Sequence, residues 1–250
     1  MREWAGRAVV LRVGHFRDAD LWLKLLFRRR GLLTLFAFGG SRSRRRFCGC
    51  LDVLNSLHCR VRTSGHRDFL NLAEAVLLSG PQNLRTDWRR MGIAANCLRF
   101  VEALGVNAES SVETFDLVED LRQTLEKSSA LGMLLPLFFR LRFAGAQGFA
   151  PNLRHCSECG ALLEEGAFFL VDEGQARCRH CHGSAPFNRY DVELPVSSLE
   201  ILRHVQRNFP SAWAEVSLSG QDRKACARAI DGFVQYHLGL IWEGGFYRRL

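Results

Sequence analysis

Two cysteine pairs near the middle of the chain restrict its fold more than any other feature. His155-Cys156-Ser157-Glu158-Cys159-Gly160 is followed, 18 residues after Cys159, by Cys178-Arg179-His180-Cys181-His182-Gly183. C-x2-C-x18-C-x2-C has the spacing of a four-cysteine zinc site. Each pair bends into a tight turn that aims two thiolates at one point, and two such turns complete a tetrahedron. A glycine shortly after each pair relieves the turn. Between the pairs, Phe168 to Val171 and the Asp172-Glu173-Gly174 turn read as a hairpin, so the segment is a zinc ribbon. Cys156, Cys159, Cys178 and Cys181 are therefore the expected ligands of one structural Zn2+ per chain. Four sulfurs leave no open position for a catalytic water.

His155, His180 and His182 crowd the site, and a histidine in place of one cysteine is the alternative ligand set. Reversible pairing of the thiols as a redox switch is the rival chemistry. A zinc deaminase is excluded, because no proline precedes Cys156 or Cys178 and no H-x-E element precedes either pair. The chain has nine cysteines, an odd number, so it is not an evenly paired secreted disulfide scaffold, and a reducing cytoplasm fits better. Cys48 and Cys50 form a C-x-C, and Cys59, Cys97 and Cys226 stand alone; all five are expected to be buried, inert thiols.

Charge is the second constraint. The 250 residues carry a net +8, but residues 1–80 alone hold 15 Lys+Arg against 6 Asp+Glu, a balance of +9. The excess positive charge thus belongs to the first third, and it points to a polyanion, nucleic acid before membrane. A membrane span is not expected: the most apolar run, Leu131 to Phe139, is nine residues long, contains Pro136 and leads into Arg140 and Arg142.

That basic third reads as β structure. Ala8 to Val13, Asp20 to Phe27 and Leu32 to Phe38 read as three short strands, and Phe47 to Val61 and Phe69 to Leu78 as two more, although the last pattern fits a helix equally; five short strands suit an OB-type barrel. Leu21, Leu23, Leu25 and Phe27 share one face of the second strand. Arg28-Arg29-Arg30 falls at the hairpin after it, and Arg42, Arg44, Arg45 and Arg46 in the SRSRRR loop after Gly39-Gly40. Together with Trp22 and Phe16, these arginines make a candidate single-strand site, in which a basic groove follows the phosphates and aromatic faces take the bases. A solvated loop is the bland alternative for the arginines, and a core position for Trp22. Nothing offers base-edge readout, so little sequence preference is expected.

After Pro81 the apolar period lengthens to that of helices. Leu84 to Leu104 predicts one helix ending near Gly105. A second is capped by Ser111 and carries Phe115, Leu117, Leu121 and Leu125, and a third, Ser129 to Ala146, is the buried centre of a bundle. Ser197 to Phe209 and Asp222 to Leu240 add two more, the last with Ala225, Ala229, Phe233, Tyr236 and Leu240 along one side. The expected architecture is α+β and multidomain. An OB-fold β-barrel spans 1–80, an α-helical bundle spans 81–152 and 184–250, and a four-cysteine zinc ribbon is inserted at 153–183. The chain has no GxxxxGK[ST] loop, HExxH or GxSxG elbow, so an enzyme is not expected.

Taken in order, these pieces resemble the bacterial recombination mediator RecO family. The residues that carry the match are Arg7 to Leu11, Phe16-Arg17-Asp18-Ala19-Asp20-Leu21, and Gly39-Gly40-Ser41-Arg42. They continue with Phe139-Arg140-Leu141-Arg142-Phe143 leading through Gly148 and Pro151 to Cys156, and with Tyr236-His237-Leu238-Gly239 in the last helix. The resemblance spans nearly the whole chain. It implies binding of single- and double-stranded DNA, annealing of complementary strands, and work with RecR to load RecA onto DNA coated by single-strand-binding protein (SSB). It also implies docking of that protein's acidic C-terminal tail on the helical domain, and a cytoplasmic, nucleoid-associated location. The family's DNA surface matches Lys24, Arg28, Arg29, Arg30, Arg42, Arg44, Arg45 and Arg46 here. Arginine replaces the family's usual lysine-rich run after the third strand, which alters pairing geometry more than charge. An RNA-binding OB and zinc-ribbon factor is the alternative from another class.

Overall fold

The computed structural model describes residues 3–63, 69–184, 188 and 190–250. The chain divides into two compact units, one of Met1–Met91 with Gly105–Glu126 and one of Gly92–Leu104 with Lys127–Leu250.

The first unit is built on a closed barrel of β1 (Glu3–His15), β2 (Leu21–Phe27), β3 (Gly31–Ala37), β4 (Ser56–Thr63) and β5 (Leu70–Ser79), in the order β1-β2-β3-β5-β4. This is the OB arrangement. β1 is longer than its apolar run because it serves two neighbours. Glu3–Val9 pairs with β4 and Ala8–His15 with β2, with the register shifting between Val10 and Arg12. That irregularity bends the strand around the barrel. Leu21, Leu23, Leu25 and Phe27 face inward as their alternation requires and pack with Val10, Leu35, Leu57, Val61 and Leu72. β3 meets β5 in parallel through Leu35–Leu70 and Phe36–Asn71, closing the barrel.

The fourth strand begins later than the sequence suggests. Phe47 is buried in the barrel core, but Cys48 and Gly49 both take left-handed backbone conformations (φ 44° and 71°), as does Leu54 (φ 68°). A strand cannot pass through such residues, so 47–55 is a chain of turns and β4 starts at Ser56. The single helix expected over 84–104 is also two: α1 (Asn83–Thr86) and α2 (Trp88–Leu104). Asp87 between them is extended, and its Oδ1 accepts from the N–H groups of Arg89 (2.9 Å) and Arg90 (3.3 Å), so it caps α2. α3 (Ser111–Lys127) follows. Ser111 lies inside its first turn and donates its hydroxyl to the Ala108 carbonyl rather than capping the helix. At the other end of α3, the Glu126 carboxylate accepts from the N–H groups of Gln82, Asn83 and Leu84 and so caps α1 from a distance.

The second unit centres on α4 (Leu135–Ala146), whose Leu137, Phe138, Phe139, Leu141, Phe143 and Ala144 are buried. It starts six residues later than the helix expected from Ser129 because Pro136, with no N–H, is accepted only in the first turn of a helix. Next come β6 (Ala167–Leu170), β7 (Gln175–Arg177), α5 (Arg179–Gly183) and β8 (Val192–Leu194), then α6 (Val196–Arg207) and α7 (Gly220–Leu238). The rings of Phe100 and Phe139 pack on Phe143, and Phe138 on Trp213. β8 joins β6 on the side away from β7, making the ribbon three-stranded; its two short apolar residues, Val192 and Leu194, were too little signal to read as a strand.

α7 buries Ala225, Ala229 and Phe233, but Tyr236 is 63% exposed. The next residue, His237, is the one that reaches its neighbours: its Nε2 lies 2.8 Å from the Val171 carbonyl. Gly239 ends α7 in a left-handed conformation (φ 61°), and the chain continues as a hairpin of β9 (Leu240–Glu243) and β10 (Phe246–Arg249) turned at Gly244-Gly245. Leu240 is therefore buried as the first residue of a strand, not the last of a helix. Among the described residues no helix is long and apolar enough to cross a membrane.

The starts of α6 and α7 share one carboxylate. Asp222, 8% exposed, accepts 2.6 Å hydrogen bonds from the hydroxyls of Ser197, Ser198 and Ser219, while its N–H donates to Ser219 Oγ. The three hydroxyls hold its carboxyl below the ordinary aspartate range. A lowered folded value means the stabilisation is present above the unfolded value, near 3.9, and is lost as pH falls through the folded one. Asp222→Ala is expected to cost about 1–3 kcal/mol at neutral pH, because three hydroxyls lose their acceptor, and to abolish part of the acid-side loss. Denaturant melts at neutral pH and near pH 3 check this; equal slopes of stability against pH in both chains would refute it.

Candidate functional site

The barrel's outer surface sorts the basic residues into three environments. On β4, Arg60 pairs with Glu3 (3.2 Å) and Glu74 (2.5 Å), and Arg62 pairs with Glu3 (3.0 Å). That face is neutralised.

The second environment is the end of the barrel where β1, β2 and β3 carry Gly14, Trp22 and Phe36. Phe36 projects outward at the centre of an aromatic group, with Phe16 5.3 Å away edge-on, Phe69 5.5 Å away edge-on and Phe38 stacked at 6.5 Å. Phe16, Phe38 and Phe69 are each about half exposed (50%, 46% and 51%). Trp22 is Phe36's register neighbour across β2–β3, and its ring lies so close over Gly14 that a Cβ there would come within 2.3 Å. The Arg12 guanidinium sits over the Trp22 ring at 5.3 Å, and Arg17 over Phe16 at 5.3 Å. Trp22 is thus on the outer face and half-buried, not in the barrel core, and Lys24 is the next outward residue of its strand.

The SRSRRR loop borders this group. Asp20 Oδ1 accepts from Gly39 N–H (2.7 Å) and the Ala19 carbonyl from Ser41 N–H (3.1 Å), tying the loop to the β1–β2 turn. Arg46 donates to the Phe38 carbonyl (2.5 Å) and lies over Phe47, so it braces the loop. Arg42, Arg44 and Arg45 are exposed and make no ion pair among the described residues. Cys48, in this loop, is exposed rather than buried, and donates to the Arg44 carbonyl. Cys50, Cys59, Cys97 and Cys226 are buried; burial pushes the Cys59 and Cys226 thiols up to about 12, which makes them inert.

The third environment is the β2–β3 tip, and the structure does not bring it to the others. Arg28-Arg29-Arg30 turns the chain at the Phe27–Gly31 end of β3, whereas the SRSRRR loop leaves from its Ala37 end. Arg28 is committed: its Nε and Nη2 meet Asp116 Oδ1 and Oδ2 on α3 at 3.0 and 2.9 Å. Arg29 and Arg30 are exposed, and Arg30 lies 4.2 Å over the Trp4 ring. The sequence did not reveal Phe36, Phe38 and Phe69 as a surface group, although Phe36 and Phe38 share one phase of alternation and Phe36 is the strand partner of Trp22. Nor did it expose Asp116 as the partner of Arg28, because that pairing spans 88 residues.

The candidate metal centre is in the second unit. Cys156, Cys159, Cys178 and Cys181 place their sulfurs within 4.8 Å of one another. A tetrahedron with roughly 2.3 Å Zn–S bonds has edges near 3.8 Å, so the donor set fits zinc with small closure. Hydrogen bonding already shapes it. Burial opposes ionisation of Cys156, but the N–H groups of Cys159, Cys178 and Glu158 outweigh it and bring the thiol down to about 6. Cys178 Sγ accepts from Cys181 N–H at the start of α5. The thiol of Cys181 is pushed up to about 12 by hydrogen bonds with Cys178 and Cys159, the reverse of what a bound cation does. His182 is turned away: it stacks flat on Phe168 at 3.8 Å and bonds Asp191 Oδ2 at 2.9 Å. No histidine joins the cluster among the described residues.

Residues 1–80 match the family described as Recombination protein O N terminal, and residues 85–243 the family described as Recombination protein O C terminal. The chain is 47% identical over 253 residues to DNA repair protein RecO of Nitratidesulfovibrio vulgaris, with 99% of this chain and 100% of that protein aligned. It is 42% identical over 250 residues to DNA repair protein RecO of Oleidesulfovibrio alaskensis, with 99% and 100% aligned. The identity to DNA repair protein RecO of Lawsonia intracellularis is 39% over 251 residues, with the same coverage.

Proposed function

The chain belongs to the RecO family of DNA repair proteins, and from that premise we propose that it binds single-stranded DNA on the barrel's aromatic end and anneals complementary strands. The observation that carries this reading is the Phe16–Phe36–Phe38–Phe69 group bordered by Arg42, Arg44 and Arg45, which have no acidic partner among the described residues. The group lies on the strand face, beside the β1–β2 loop, that OB barrels use for oligonucleotides. Exposed rings stack on unpaired bases of any identity, and exposed guanidinium groups donate to phosphates. Annealing then needs no catalytic residue: neutralising two polyanions on one protein lowers the repulsion that keeps them apart.

In this proposal the protein acts with RecR to load RecA onto DNA coated by single-strand-binding protein, and the second unit receives that protein's acidic tail. Zinc bound by Cys156, Cys159, Cys178 and Cys181 braces the ribbon and takes no part in chemistry; the protein is a mediator rather than an enzyme. It works in the cytoplasm, at the nucleoid.

The deciding experiment is annealing of complementary strands pre-coated with single-strand-binding protein, with DNA and RNA strands of equal length in competition. Faster annealing and preference for DNA are expected; preference for RNA would overturn the assignment in favour of an RNA-processing factor. Salt reports on the loop directly. Replacing Arg42, Arg44 and Arg45 by alanine is expected to reduce the slope of log affinity against log salt by up to about 2, at ~0.7 per lost single-strand phosphate contact. An unchanged slope would mean that this loop does not touch phosphates.

A further inference from the structure

The two arginine runs occupy opposite ends of one strand. The tip holding Arg29 and Arg30 precedes Gly31, and the SRSRRR loop follows Ala37. At about 3.3 Å per residue, β3 separates them by roughly 20 Å. That exceeds the Debye length of about 8 Å at physiological ionic strength, so the two clusters act on polyanions independently. The outer surface between them is not an open basic track. Val9 and Leu26 are fully buried although neither belongs to the barrel-core cluster, Arg7 lies over Phe115 of α3, and a Cβ on Gly31 would meet the Val106 carbonyl at 3.1 Å. Residues 105–126 cover that part of the barrel.

The tip is also prepared for a ligand. The bidentate Arg28–Asp116 pair anchors it to α3, and Trp4 holds the Arg30 guanidinium in place at 4.2 Å. Arg29 projects beside it with no ion pair among the described residues. An arginine already ordered on a ring loses less entropy on binding than a free one. The tip lacks the exposed phenylalanines of the other end, so it offers phosphate contacts without a stack of bases.

We propose that the β2–β3 tip is a second, separate nucleic-acid contact that holds a strand by its phosphates, so that one chain carries two strands at once: one splayed on the phenylalanines, the other along Arg29 and Arg30. This rests on the reading of the barrel as a DNA-binding unit. It supplies what annealing requires, a mobile strand beside one whose bases are presented.

The test uses the full chain and a fluorescent strand of about four nucleotides, the short end of what one OB barrel covers. Wild type binds two such strands per chain, and the Arg29→Glu, Arg30→Glu double variant binds one. An abasic strand, which cannot stack, keeps only the component that the double variant loses. With long complementary strands the double variant anneals at least tenfold more slowly while its affinity for a single long strand falls by less than about threefold. Arg29→Glu alone keeps the Trp4 stack intact and gives an intermediate rate, which guards against a folding defect in the double variant. One strand per chain in wild type, or an annealing rate untouched by either variant, overturns the two-contact proposal and leaves DNA binding standing. If wild type binds neither strand, the DNA-binding reading itself fails.

Discussion

A Cys178→Ala chain is expected to purify without zinc and to lose the whole ribbon, not one bond. Cys178 has three roles in a small space: it is one of four sulfurs within 4.8 Å, its N–H donates to Cys156 Sγ, and its own Sγ accepts from Cys181 N–H at the start of α5. The strands it joins are short, four residues in β6 and three each in β7 and β8. Such a sheet buries too little to fold alone, and structural zinc supplies about 10–16 kcal/mol to domains of this kind. Loss of metal should therefore expose β6–β8 to amide exchange and lower the melting temperature of the second unit by tens of degrees. The barrel has a core drawn entirely from residues 8–75, and should keep its own transition. Chelation of the wild-type protein should reproduce the result. It should do so more readily as pH falls, because protons compete for the thiolates. A metal-free chain with native exchange protection at Phe169 and Ala176 would show that zinc is dispensable.

Legibility in the sequence followed the range of the interaction that decides each feature. The cluster of Cys156, Cys159, Cys178 and Cys181 was readable because its geometry is local: two turns, two glycines and one hairpin set it. The barrel was readable because period-two alternation in Leu21–Phe27 is enforced by burial on one side. Boundaries failed where a single residue overrides a pattern. Asp87 breaks a helical run because its side chain prefers to cap, Cys48-Gly49 breaks a strand, and Pro136 delays α4. The arrangement of the arginines was less legible. Adjacency in sequence suggested one basic surface, but a strand carries its two ends to opposite ends of a barrel. The partner of Arg28 is brought in by tertiary packing from residue 116. The hairpin at Leu240–Arg249 was hidden because the apolar spacing of α7 runs on into it, and only Gly239 marks the stop.

Replacing Phe16, Phe38 and Phe69 together by alanine should separate stacking from charge, and it is the substitution expected to weaken single-strand binding most. Each ring is about half exposed, so its removal leaves the barrel core of Leu21, Leu23, Leu25, Leu35 and Val61 untouched and the melting temperature within a few degrees of wild type. Base–aromatic stacking is worth roughly 1–3 kcal/mol per base. Loss of two stacked bases thus predicts about 30-fold to 10⁴-fold weaker binding of single strands. The salt slope should not change, since no phosphate contact has been removed, in contrast to the Arg42, Arg44, Arg45 variant, whose slope falls while its stacking remains. Duplex DNA, whose bases are already stacked, should bind the phenylalanine variant as well as it binds wild type. On the proposed reading, that asymmetry would have a functional consequence: a surface that favours unstacked bases would release its product once two strands pair, so annealing would turn over without an energy source. Equal losses for single and double strands would mean that the rings only support the loop, and that the preference for single strands arises elsewhere.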